Sequence, residues 1–160
     1  MAIRPTAQPP RSELPHWPSD SIVLAATHTA LTCTSLFVRH TLEVWRLQPI
    51  FDQVEAVALQ LVSNAVESTG TMDEHLDLRH VDYLDTIGVC LRQAEAAVLV
   101  EVSDNSLEPP IGSPPAGHKS GFLILDGRKV VWTAVAYPPP KQARPYINHP
   151  KPQQVQGESR

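Results

Sequence analysis

The apolar residues Phe51, Val54, Ala58, Leu61 and Ala65 recur at steps of three and four, the spacing that places side chains on one face of an α-helix. Pro49 stands just before this run, where a missing backbone N–H does no harm at a helix start, and Gly70 stands just after it and ends the helix. A second stripe, Ala30, Phe37, Val38, Leu42 and Trp45, predicts a helix over 30–47, with Arg39, His40 and Glu43 off the stripe and Thr27 or Thr29 placed to cap it. Its threonine-rich first half is a weaker helix former than its second.

Elsewhere the period changes. Residues 21–26, SIVLAA, form a short apolar run that reads as a strand. IGVCLRQ and AAVLVEVSD alternate well enough to be strands joined by the tight connection AEA. FLIL and VVWTAVAY read as a further pair, with Asp126-Gly127 supplying the hairpin signal. Residues 71–86, TMDEHLDLRHVDYLDT, are acidic without a clean period and predict a loop. Residues 105–121, NSLEPPIGSPPAGHKSG, predict a long Pro/Gly/Ser loop, a kind of segment that inside a compact domain is more often functional than not. The order strand, helix, helix, loop, strand, strand, long loop, strand, strand implies an α+β fold, a two-layer sandwich of a mostly antiparallel sheet with helices on one face.

Composition trims this domain at both ends. The chain has 160 residues and sixteen prolines, concentrated at the two termini and in the internal loop. Residues 1–18 and 138–160 have too few aliphatic side chains to offset the entropy of ordering them. Both are expected to be disordered tails around a single domain at 19–137; AYPPPKQARP in the second could also engage a groove that reads extended polyproline. A net charge of −4 argues against a nucleic-acid surface, which needs clustered Lys and Arg. No apolar run has the length of a membrane span and the N-terminus has no signal-peptide core, so a cytoplasmic location is expected. Cys33 and Cys90 have no CxxC or Cys/His ligand spacing and read as core thiols. His75 and His80 lie among Asp73, Glu74, Asp77 and Asp82, but the spacing matches no strong metal motif and a solvated loop is the expectation.

One feature of the second helix points to chemistry. Gln60 and Asn64 are four apart, on one face at the edge of the apolar stripe. Such an amide pair is either tied off in the core or faces a polar ligand.

FVRHTLEVWRL, LQLVSNAV, VEVSDNSLEPP and KVVWTAV occur in this order. In that order they resemble the short single-domain proteins of the bacterial histidine-kinase-like (GHKL) ATPase superfamily, in particular anti-sigma factor serine kinases. The resemblance covers roughly residues 21–137. It implies a histidine-kinase-like ATPase fold, truncated after the second glycine box, and a cofactor, ATP or ADP with Mg²⁺. In the family's N-box, E-L-V-x-N-A, the Asn holds the Mg²⁺; Asn64 stands there, and an amide carbonyl is a hard oxygen suited to that ion. The family's general base falls on Gln60, which cannot accept a proton at neutral pH, so no catalytic residue is assigned and little or no turnover is expected. Asp104 matches the aspartate that accepts a hydrogen bond from the adenine amino group, and Ser106 stands where that motif usually has glycine. In the second glycine box Gly121 is retained, Lys119 replaces the first glycine, and DGRK leaves no room for the helix that normally follows. The resemblance thus implies an ATP- or ADP-binding regulatory protein acting through a protein partner such as a sigma factor or an anti-anti-sigma factor, with a homodimer possible and no nucleic-acid or membrane partner. The alternative is a degenerate, anti-sigma-like interaction module that no longer binds nucleotide.

Overall fold

A computed structural model describes residues 17–70 and 84–137. Within them the chain runs β1 (Ser19–Ala25), α1 (Thr29–Val44), a 3₁₀ turn (Gln48–Ile50), α2 (Phe51–Thr69), β2 (Thr86–Ala94), β3 (Ala97–Asp104), β4 (Lys119–Leu125) and β5 (Arg128–Ala136). Five antiparallel strands make one sheet in the order β1-β2-β3-β5-β4. The fold is α+β, as the element order implied, with α1 and α2 packed on the sheet. The expected tails, apart from Trp17 and Pro18 at one end, and nearly all of the acidic loop with His75 and His80 fall outside the described residues.

The two apolar stripes meet the inward phase of the strands. Val54, Ala58, Leu61 and Ala65 of α2 and Ala30, Val38 and Leu42 of α1 are buried, in one cluster with Ile87, Val89 and Leu91 of β2 and Val98, Val100 and Val102 of β3. Phe37, Trp45 and Phe51 pack at its margin. β2 shows the alternation of a strand with one face in the core, and β3, central in the sheet, alternates likewise from Val100 to Asp104 but buries Leu99 as well.

Helix ends differ in detail from the sequence expectations. Neither threonine caps α1: the Thr27 and Thr29 hydroxyls bond each other at 2.8 Å, and His28 takes the cap position with no side-chain bond. The helix stops at Val44, before Leu47, because Arg46 turns to a φ of 59° and the Leu47 N–H bonds back to the Leu42 carbonyl at 2.8 Å, a Schellman-type closure. Gly70 ends α2, but in extended backbone and not in the left-handed region. Its requirement is space, since a Cβ there would lie 1.9 Å from the Ala26 carbonyl oxygen.

Asp126 and Gly127 form the β4–β5 turn with φ values of 50° and 73°, both positive as a type I′ hairpin needs. Strand pairing starts again immediately at Arg128, so β4 and β5 form a direct hairpin. Lys129, expected at that turn, belongs to β5 and is 2 % exposed. Because β5 lies between β3 and β4, the chain leaving β3 must cross the sheet end to reach the edge position of β4. Residues 105–118 make this crossing.

Candidate functional site

Where residues 105–118 cross, four separate stretches of sequence converge: α2, the end of β3, the crossing segment and the β4–β5 hairpin. β3 brings Asp104 in from the sheet. In the β3–β5 register Asp104 lies directly opposite Lys129, in phase with the inward pair Val102 and Val131. Lys129 Nζ is 3.4 Å from Asp104 Oδ2, and the side chains are 2 % and 1 % exposed. Asp104 Oδ1 accepts the Ser106 backbone N–H at 2.8 Å, an Asx turn that starts the crossing segment. Burial pushes the Asp104 carboxyl above its ordinary range, opposed by the Ser106 N–H and by the Lys129 charge.

Two small cavities lie beneath the crossing segment. One, of about 20 Å³, is bounded by Asn64 of α2, Gly121 and Ser120 of β4, and Ile111 and Ser113 of the segment. The other, of about 10 Å³, is bounded by Asn64 and Ser68 of α2, Asp104 of β3 and Lys129 of β5. Leu61, Asn64, Pro110 and Val131 line both. Each is about the size that admits a single water molecule, far below the ~300–1,000 Å³ of a pocket for a small organic ligand.

Gln60 sits one turn before Asn64 and is exposed. Its Nε2 donates to the Ser113 carbonyl at 3.1 Å, so its amide meets the crossing segment, while Asn64, one turn on, lines the two cavities. On its other flank is an open groove of about 390 Å³, bordered by Asp52, Gln53, Ala56, Pro115 and His118.

The structure therefore brings the five sequence-derived positions to one region. Asn64 and Asp104 share the smaller cavity, Asn64 and Gly121 share the larger, Ser106 is bonded to Asp104, and Gln60 is bonded to the segment that covers them. Lys129 was missed. A lysine in the tetrapeptide DGRK reads as a solvated turn residue, and the available signal was phase: with a two-residue turn, position 129 falls on the same face as Val131, Thr133 and Val135.

Neither cysteine belongs to this site. Cys33 is exposed, against the expectation of a core thiol, because it lies off the apolar stripe of α1. Cys90 is partly buried on the helix-free face of the sheet, and burial, followed by the charge of Glu101, raises its thiol pKa to about 11. Among the described residues no group of three or more His, Cys, Asp and Glu side chains is placed to hold a metal, and no helix is long and apolar enough to cross a membrane.

Compared with models of known protein families and with curated proteins, the chain matches none.

Proposed function

We propose that this chain is a non-catalytic regulatory module of the histidine-kinase-like ATPase type, which acts by binding a protein partner and whose nucleotide site is closed by the chain itself. The observation that carries this reading is the engagement of Asp104. The carboxylate that would receive an adenine amino group accepts the Ser106 N–H on one oxygen and faces the Lys129 ammonium on the other. Two further features support it. The spaces beside Asn64 measure about 20 and 10 Å³. In the smaller one Asn64 shares the cavity wall with Lys129, whose like charge disfavours a divalent cation, and Mg²⁺ retains several waters that need room. The donor set thus does not suit a magnesium nucleotide in this conformation. The class of partner, a sigma factor or an anti-anti-sigma factor, follows from the family resemblance.

A second reading, an ATP- or ADP-binding regulator without turnover, is favoured by the convergence of Asn64, Asp104 and Gly121 from three distant parts of the sequence. Calorimetric titration of the full chain with ATP and with ADP, each with and without Mg²⁺, separates the two. The closed-site reading expects no binding heat at millimolar nucleotide. Magnesium-dependent binding at micromolar affinity, about −8 kcal/mol, overturns it and restores the second.

A further inference from the structure

Where the resemblance reads Gln60 as a lost base, the structure gives its amide a task. The acceptor it meets is a backbone carbonyl, that of Ser113, and of the two ends of the amide only the N–H can bond to it. A glutamate at this position would be an acceptor facing an acceptor. The same segment is held at two other points. Its root is fixed by the Asp104–Ser106 turn, and Pro115 is buried. Pro110 is the residue of this segment that lines both cavities, with Leu61, Asn64 and Val131, and Asn64 and Asp104 border the smaller one with it.

We propose that residues 105–118 form a strap that occupies the chain's own site, with Pro110 as its wedge and Gln60 as its latch. The root is buried and fixed, whereas the latch is a single exposed hydrogen bond at the rim of the 390 Å³ groove. Anything that settles in that groove and takes the Gln60 amide, such as a backbone carbonyl of a partner peptide, releases the strap from its weakest point. The functional meaning of the latch rests on the closed-site reading above, but its existence is tested without nucleotide.

The test is the rate at which a thiol beneath the strap is modified. Leu61, 4 % exposed, is replaced by cysteine in a full-length background carrying Cys33→Ser and Cys90→Ser, and its reaction with a disulfide reagent is timed with Gln60, Gln60→Ala and Gln60→Glu. Val38→Cys, at a fully buried core position away from the strap, is the reference, and Ala65→Cys replaces Leu61→Cys should the latter not fold. Loss of one such hydrogen bond should accelerate modification at position 61 about three- to tenfold in both Gln60 variants, with position 38 unchanged. Unchanged rates in both variants overturn the latch. Acceleration in Gln60→Glu alone also overturns it, because the effect would then be charge repulsion. Equal acceleration at positions 61 and 38 overturns it as well, because the opening would be global. Failure here leaves the titration with ATP and ADP as an independent test of the closed site.

Discussion

Asp104 and Lys129 face each other across β3 and β5 with 3.4 Å between carboxylate oxygen and ammonium nitrogen, both nearly out of reach of water. Two desolvated charges are held together at a sheet end that also roots the strap. Their attraction offsets part of the cost of removing them from water, and only while both are present. This asymmetry governs what substitution does.

Removing one partner leaves a buried charge without its counterion. Lys129→Met or Asp104→Asn should each lower stability by about 3 kcal/mol or more, read from the midpoint of urea denaturation at unchanged slope. The double variant should cost less than the sum of the singles by about 1–3 kcal/mol, the coupling expected of groups in contact. Additive single costs would mean that the two charges do not interact.

A second ion cluster ties the helices together and has the opposite acid behaviour. The Ser35 hydroxyl and the Arg39 guanidinium of α1 both donate to Glu55 of α2, with Arg39 Nη2 at 2.6 Å from Oε2. These bonds, Arg39 first, hold the Glu55 carboxyl below its ordinary value of 4.5. Its folded pKa is depressed, so its stabilisation is present above the unfolded pKa and is lost as pH falls through the folded one. Glu55→Gln should therefore cost about 1 kcal/mol at pH 7 and nothing once the pH is below the folded pKa, as denaturation curves at the two pH values would show. Asp104 runs the other way: its raised pKa favours the fold at acid pH, and that contribution is lost as pH rises through the raised value. A pH-independent cost of Glu55→Gln would mean that the bonds from Arg39 and Ser35 to the ionised Glu55 carboxylate do not stabilise the fold.

Much of this architecture could be read in the chain because its elements obey one rule each. α2 has its apolar residues on one face and a proline before it, and the β4–β5 hairpin has Asp126-Gly127, whose backbone angles few other pairs adopt without strain. Two site features could not be read in the same way. The burial of Lys129 depends on strand register, and a one-residue shift would have turned it to the other face. The bond of Gln60 depends on the path of a 14-residue crossing that has no periodicity, and Ser113 is 53 residues away in sequence. Gly70 lies between these cases: its place at the helix end was legible, but its reason, the approach of Ala26, exists only in the assembled layers.

Gly70→Ala isolates that reason. A φ of −110° is open to any residue, so alanine brings no conformational penalty of the left-handed kind. Its Cβ instead meets the backbone of Ala26, with the carbonyl oxygen at 1.9 Å and the carbonyl carbon at 2.7 Å. Backbone cannot yield as a flexible side chain can, so either β1 or the end of α2 must shift. The expected cost is about 2–3 kcal/mol, measured by thermal or urea denaturation. A variant as stable as the parent would mean that the helix end and the β1 terminus are not packed this closely.

Gln60→Glu provides the sharpest contrast between a lost base and a latch. If position 60 lacks only a proton acceptor, the new carboxylate should raise phosphate release from ATP in the presence of Mg²⁺. On the closed-site reading it should not, since Asn64 and Asp104 still line spaces of only about 20 and 10 Å³ bordered by Pro110. Even a tenfold rise in strap opening, worth about 1.4 kcal/mol, leaves a minor open population minor. Phosphate release by Gln60→Glu should thus stay at the level of the parent chain. Release above that level, abolished again by adding Asn64→Ala, would make Asn64 the metal ligand of a live site and Gln60 the one residue that silences it.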